Sequence, residues 1–304
     1  MRSLLIVNPQ ATTTSRRMTD LVVHAFADAL DLEVVTTSHR GHGIELGQQA
    51  RAGDLDLVIT VGGDGIINEV VNGLLAAGSA PRTQLATLPG GSANVFARAL
   101  GLPNDMVEAG AQLLEGIKQG RSRTIGLGRA NDRWFTVNAG VGLDAEVIAA
   151  MENKRGRGRK ASPSRYLATT AATMIKAARN RVPPLMLQRD DQVTNEVYFA
   201  VIQNTSPWTY LGNWPIQICQ AADFNAGLDL FGMRKIDVPT ALQSTRHLLT
   251  RKSTALASVV SWHDVTTFSI TAQRPMAFQI DGEGMGEMTE VTFAAQPAAL
   301  TVIV

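Results

Sequence analysis

Hydrophobic positions along the first 128 residues follow two alternating rhythms. Short continuous apolar runs at Ser3–Val7, Leu32–Val35, Leu55–Val61 and Leu85–Leu88, bounded by polar or Gly/Pro residues, predict buried strands. Stretches with helical spacing predict helices over Met18–Leu30, Ile44–Ala52, Ile67–Ala77, Ala93–Leu100 and Met106–Lys118. Strand and helix in alternation imply a parallel sheet covered by helices on both faces. From about Leu127 the rhythm changes. Strand-like pieces dominate at Trp134–Asn138, Val197–Gln203, Leu228–Met233, Thr266–Thr271, Met276–Ile280, Val291–Ala294 and Leu300–Val304, with helical patterns only near Ala145–Asn153, Tyr166–Asn180 and Thr240–Thr250. The expected class is α/β: an N-terminal parallel-sheet domain over residues 1–128, then a mainly antiparallel, β-sandwich-like domain over 129–304 whose last strand is free to pack back on the first.

The chain length of 304 residues, at roughly 150 per domain, agrees with two domains. An apolar share of 45% with 18% charged residues excludes disordered and collagen-like chains. Cys219 is the only cysteine, so an internal disulfide is impossible. The formal net charge of +1 leaves no chain-wide basic field for nucleic acid. Charge is nevertheless concentrated: between Met151 and Val182 nine basic residues stand against one acidic, Glu152. The Gly-rich core of that segment, Lys154–Lys160, reads either as a solvated loop or as a contact for anionic lipid head groups, worth ~1 kcal/mol per basic residue near the surface. Nucleic acid is disfavoured there because no aromatic side chains interleave with the charges. The apolar start stops at Asn8-Pro9, too short for a signal-peptide core, and no run approaches about 18 apolar residues. The expectation is a soluble, cytoplasmic chain, peripheral to a membrane at most.

The densest candidate chemistry is Val61-Gly62-Gly63-Asp64-Gly65-Ile66-Ile67-Asn68-Glu69, which follows a strand and opens a helix. Glycines let a bulky anion approach the main chain, and the helix start offers unpaired N–H groups, so the segment reads as a phosphate site. Asp64 would repel phosphate directly; it fits through a divalent cation or a donor network, or the segment is a tight turn with Asp64 as helix cap. Asn8-Pro9 ends the first strand, and Leu88-Pro89-Gly90-Gly91-Ser92-Ala93-Asn94 follows the fourth. Loops at the carboxyl ends of parallel strands border the ligand crevice, so three such loops favour a nucleotide. No Walker A, G-x-G-x-x-G, HExxH or G-x-S-x-G motif occurs, and a lone cysteine excludes a thiolate zinc cluster. In the second domain, Asp281-Gly282-Glu283 offers either a general base with a cation-organising neighbour or a hairpin turn with solvated acids. Asp144, at a strand-to-helix junction, is another candidate acid or a plain helix cap.

In their order and spacing these segments resemble the diacylglycerol kinase catalytic-domain family, which includes bacterial lipid kinases and their sphingosine-kinase relatives. The resemblance rests on Asn8-Pro9, Gly62-Gly63-Asp64-Gly65 with Asn68-Glu69, Leu88-Pro89-Gly-Gly-Ser92-Ala-Asn94-Val-Phe96-Ala97-Arg98, Gly142-Leu-Asp144-Ala145 and Asp281-Gly282-Glu283. It implies a nucleotide-binding α/β domain, a second domain for the lipid acceptor and a cleft between them. ATP would bind through Asn8, Pro9, Thr37, Gly62, Gly63, Asp64, Gly65, Ile66, Asn68, Glu69, Gly91, Ser92 and Asn94, with Mg²⁺ on the phosphates and Asp64 near it. The γ-phosphoryl group would pass to a lipid hydroxyl, with diacylglycerol as the expected acceptor. Catalytic roles would fall to Glu283, Asp281 and Asp144, Glu283 first as proton acceptor.

The departures are specific. Ile66 stands where such kinases carry threonine, Val95 where aspartate is common, and Gln10-Ala-Thr-Thr-Thr14 where a Ser-Gly pair is usual. Ala226, in Asp223–Leu228, stands where some bacterial relatives hold an accessory Mg²⁺. Two rivals remain open: an NAD-kinase-like phosphotransferase, which shares the Gly-Gly-Asp-Gly turn, and a non-catalytic lipid- or nucleotide-binding protein. The oligomeric state is open too. Tryptophan, tyrosine and proline gather at Pro207-Trp208-Thr-Tyr210-Leu211-Gly-Asn-Trp214-Pro215, which reads as a lipid entrance or as ordinary packing.

Overall fold

The computed structural model describes residues 1–9, 16–78, 80–142, 184–190, 192–235 and 258–304. The expected helices near Ala145–Asn153, Tyr166–Asn180 and Thr240–Thr250, the Lys154–Lys160 loop and Asp144 lie outside the described residues. The chain divides into two compact units, Met1–Leu127 together with Gln296–Val304, and Gly128–Ala295.

The first unit alternates as the apolar pattern predicts. Its strands are β1 (Arg2–Val7), β2 (Asp31–Thr36), β3 (Leu57–Gly62) and β4 (Gln84–Pro89); its helices are α1 (Arg16–Ala27), α2 (His42–Ala52), α3 (Asp64–Leu74), α4 (Val95–Ala99) and α5 (Met106–Gln119). The four strands are parallel in the order β4-β3-β1-β2. All six β3 residues are buried, as expected of a central strand covered on both faces, whereas edge strand β2 leaves Val34 exposed. Helix α1 ends at Ala27, short of the expected Leu30, because the chain tightens: Phe26 O accepts from both Ala29 N (3.1 Å) and Leu30 N (2.9 Å). Helix α3 starts at Asp64, three residues before the expected Ile67.

The second unit is antiparallel. Strand β5 (Ser122–Ala130) leads from the first unit into a hairpin with β6 (Arg133–Phe135). There follow β7 (Asn138–Val141), β8 (Leu185–Arg189), β9 (Gln192–Val197), β10 (Phe199–Gln203), β11 (Thr209–Leu211), β12 (Trp214–Ile216), β13 (Leu228–Met233), β14 (Val259–Val265), β15 (Thr267–Ile280) and β16 (Glu283–Ile303). The main sheet runs β14-β13-β10-β7-β15-β16, with β8 and β9 joined to β15, while β11 and β12 form a separate two-stranded sheet. Two expected breaks are absent. Thr266–Thr271 and Met276–Ile280 lie on the single strand β15, which keeps going past Pro275 by a shift of register between Thr271 and Met276. Likewise Val291–Ala294 and the end of the chain share β16, whose last residues return to the first unit, where Val302 pairs in parallel with Leu85.

The core of this unit is built on Phe268 stacked on Phe293 (ring centroids 5.1 Å apart) with Phe135 edge-on to Phe293. Cys219 is buried too, and burial, then the negative charge of Asp229, pushes its thiol well above the usual range. Alkylation needs the thiolate, so native protein is expected to resist iodoacetamide at neutral pH and to react only after unfolding. The linkage sign follows. The folded state holds the proton longer than the unfolded one, so this contribution to stability is fully present below about pH 8.5 and declines as pH rises above it. Denaturant midpoints measured from pH 7 to 10 should fall less steeply in Cys219→Ala than in wild type.

Candidate active site

Register sets the candidate phosphate edge. Thr36 pairs with Val7, Val7 with Val61, and Val61 with Leu88, so one row of paired residues ends the four parallel strands at a common level. The loops beginning at Thr37, Asn8, Gly63 and Gly90 therefore emerge side by side. Asn8 N donates to Val61 O (3.0 Å), Thr37 N to Val7 O (2.9 Å) and Gly90 N to Gly62 O (2.8 Å), which extends the sheet pattern into the loops. A Cβ on Gly91 would lie 2.5 Å from Gly63 Cα, so these two loops touch backbone to backbone and only glycine fits. Gly63 is the N-cap of α3 and has no side chain of its own to cap it. Gly63, Asp64, Gly65 and Gly91 are half-buried, and Ser92 and Pro9 are exposed.

Of the roles open to Asp64, a donor network is what the structure shows. Its Oδ2 accepts from Val95 N (3.1 Å) and its Oδ1 from Phe96 N (2.9 Å), so the α3 carboxylate supplies acceptors to the first amides of α4. Glu69 does the same for α2. It is 8% exposed, and its two oxygens accept from Gly41 N and Gly43 N, each at 2.9 Å. Asn94, at φ 49°, closes the Gly91 turn by accepting from Gly91 N (2.7 Å) and donating to Gly91 O (2.9 Å) and Asn104 Oδ1 (2.8 Å). Asn68 is buried and accepts from Asn72 Nδ2 at both its carbonyl (2.8 Å) and its Oδ1 (3.1 Å). Ile66 is buried as well, and a Cβ on Gly62 or Gly43 would meet it at 2.7 Å. Asp64, Glu69, Asn68 and Ile66 thus hold the loops in shape, while the accessible rim is backbone: Gly63, Gly65, Gly91 and Ser92. Replacing Asp64 with alanine is expected to cost about 1–2 kcal/mol, as loss of a helix cap does, and to lower the thermal midpoint accordingly.

The second candidate cluster lies in the other unit. Asp281 (φ 47°) and Gly282 (φ 82°) form a two-residue loop between β15 and β16, with Ile280 paired to Glu283. Two positive φ values in an Asp-Gly pair make the turn type that matches strand twist. Asp281 is not a solvated acid. It is 9% exposed; Oδ2 accepts from Thr136 N (2.8 Å) and Thr136 Oγ1 (2.9 Å), and Oδ1 from Val137 N (2.9 Å) and Asn138 N (3.0 Å). Four donors match the four lone-pair directions of a carboxylate. Gln279 and Asn204 complete the support: Gln279 Oε1 accepts from Gly282 N (2.9 Å), its Nε2 donates to Asn138 Oδ1 (3.0 Å), and Asn204 Nδ2 donates to Thr136 O (3.0 Å). Glu283, one residue beyond Gly282, is half-buried. Sequence reasoning missed four uncharged residues: Thr136 and Asn138, which meet Asp281 from 145 and 143 positions away, Asn204, which reaches Thr136 across 68, and Gln279, which stands beside the turn itself. Among the described residues no group of three His, Cys, Asp or Glu side chains is placed to hold a metal ion.

Residues 2–130 match the diacylglycerol kinase catalytic domain. Among curated proteins, a diacylglycerol kinase from Bacillus subtilis (strain 168) is 36% identical over 119 residues, 39% of this chain and 37% of that one. A Chromohalobacter salexigens protein named probable lipid kinase YegS-like is 38% identical over 116 residues, 38% of this chain and 36% of its own. The chain thus spans little more than a third of the length of these curated relatives. A crystal structure of a diacylglycerol kinase from Bacillus anthracis (strain Sterne) shares the fold over 99% of this chain and 96% of its own, with a TM-score of 0.72 at 21% identity. The kinase-family match takes in all four loops of the phosphate edge and stops before Asp281 and Glu283, for which only the shared fold speaks.

Proposed function

We propose that this chain is an ATP-dependent lipid kinase that transfers the γ-phosphoryl group to a lipid hydroxyl, with diacylglycerol the acceptor. The observation that carries the reading is the N-terminus of α3 at Gly63, a cap residue without a side chain, packed backbone to backbone against Gly91 at the common end of four parallel strands. The first-turn amides of a helix lack intrahelical acceptors and carry the positive end of its dipole, so they suit a phosphate chain. Asn8, Pro9, Thr37 and Ser92 border the same edge. Asp64, Glu69, Asn68, Ile66 and Asn94 position that edge and do not themselves present the donors. Mg²⁺ would arrive with the nucleotide as part of the substrate and would offset charge on its phosphate oxygens.

In the transfer, the acceptor oxygen forms a bond to the γ-phosphorus, the bond to the β–γ bridging oxygen breaks, and ADP leaves. The hydroxyl proton goes to the Glu283 carboxylate. Asp281, saturated by four donors, is a positioning residue that fixes the turn from which Glu283 extends. Asp144 keeps its place as a third candidate acid. The anionic-surface contact at Lys154–Lys160 stands as an accompanying proposal. The test is radiolabelled ATP with Mg²⁺ offered to diacylglycerol, a sphingoid base, phosphatidylglycerol and NAD. Label in diacylglycerol is the expected result. Label in NAD alone would move the chain to the NAD-kinase-like rival, and lipid binding without any turnover to the non-catalytic one.

A further inference from the structure

From Val197 through Ala222 the chain carries no Asp, Glu, Lys or Arg, although such residues make up 18% of the whole. In the middle of this charge-free run stands the hairpin of β11 and β12, a two-stranded sheet of its own. Gly212 (φ 62°) opens its two-residue loop, and Leu211 pairs with Trp214. Trp214 is 60% exposed, the most exposed large hydrophobic side chain among the described residues, whereas Trp134 is buried. A two-stranded hairpin is marginal by itself, so its placement depends on its anchor. Trp208 N donates to Ile216 O at 2.9 Å, which closes the base of the hairpin on itself. The anchor is Trp208 O, which accepts from Asn138 Nδ2 at 3.2 Å. Asn138 is the residue whose amide binds Asp281 Oδ1 and whose side-chain oxygen binds Gln279.

We propose that the β11–β12 hairpin is a docking element for the interfacial layer of a lipid bilayer, entered by Trp214 and tied through Asn138 to the turn that carries Glu283. This rests on the lipid-kinase reading only for its purpose; the docking itself needs neither nucleotide nor turnover. Indole suits that layer because its rings gain from leaving water while its N–H finds carbonyl and water partners at head-group depth. The missing charges decide the occupant. Inserting a hairpin among acyl chains costs several kcal/mol for each charge carried with it, and this one carries none. A protein partner would be oriented by charged groups at the contact rim, and the hairpin offers none to read.

The test uses the full chain and vesicles of phosphatidylcholine alone, so that the basic segment has no anionic target. Vesicles made with dibrominated acyl chains should quench wild-type tryptophan fluorescence. In Trp214→Ala that quenching should disappear, and vesicle binding by sedimentation should weaken at least tenfold, with little dependence on salt. Asn213→Asp, at the exposed tip, should weaken binding comparably while leaving circular dichroism unchanged, which guards against a folding artefact of the first variant. Binding unaltered in both variants, or brominated-lipid quenching that persists without Trp214, would overturn the proposal. So would concentration-dependent self-association abolished by Trp214→Ala in the absence of vesicles, since the occupant would then be a second copy. A chain that docks but phosphorylates no lipid would sink the kinase reading and leave the docking intact.

Discussion

Glu283→Gln is expected to reduce lipid phosphorylation by about 10²–10⁴-fold, the span that a positioned general base contributes. Nucleotide affinity and denaturant midpoint should stay near wild type. Glutamine keeps the size and shape of the side chain but cannot take the hydroxyl proton at neutral pH. Because Glu283 is half-buried at the start of β16 and follows a turn fixed by other residues, its replacement leaves that turn in place. The loss should therefore fall on kcat and not on the KM for ATP. Turnover within a few-fold of wild type would remove Glu283 from the chemistry, whatever else the chain does.

Asp281→Ala is expected to act in the opposite currency, costing about 3–5 kcal/mol of stability whether or not the protein is an enzyme. Three buried backbone amides, Thr136 N, Val137 N and Asn138 N, and the Thr136 hydroxyl would all lose their acceptor at once. Asp281→Asn should cost less, since the amide oxygen still accepts, but its NH2 group would point donors at donors. Urea unfolding followed by circular dichroism reads both variants. A midpoint unchanged in Asp281→Ala would mean that those amides find other partners. The pair of variants also divides the two acids by role, one lowering turnover in a folded chain and the other lowering the fold itself.

Much of the first unit was legible because its signals are local. A fully apolar six-residue run is what a doubly covered central strand needs, and β3 supplies it. Gly62-Gly63-Asp64-Gly65 followed by a helical pattern marks a strand-to-helix turn, and β3 and α3 meet there. What the local reading leaves out is which protein groups hold the side chains within that motif. Asp64, Glu69 and Asn68 look like ligands because they are polar and sit in a Gly-rich segment, yet their partners are amides at Gly41, Gly43, Val95 and Phe96 or the neighbouring Asn72, a fact of packing that spacing alone does not carry. The second unit was harder for the same reason writ larger. Strands β8 and β14 are partly exposed and lack a continuous apolar run, and the stretch between Thr271 and Met276 looked like a break because a register shift cannot be read from one strand. Asp281 was the sharpest case: as a turn residue it suggests solvent, and only its distant donors at 136–138 make it interior.

The return of the last residues to the first unit has a consequence for synthesis. Gln296–Val304 join the Met1–Leu127 unit, with Val302 beside Leu85, so about 170 intervening residues must leave the ribosome before that sheet gains its final strand. The intervening unit waits as well, because the amides at 136–138 meet their carboxylate only when residue 281 has been made. A nascent chain stalled anywhere before that point holds an uncovered β4 edge and an unsatisfied bend, the kind of surface that chaperones recognise.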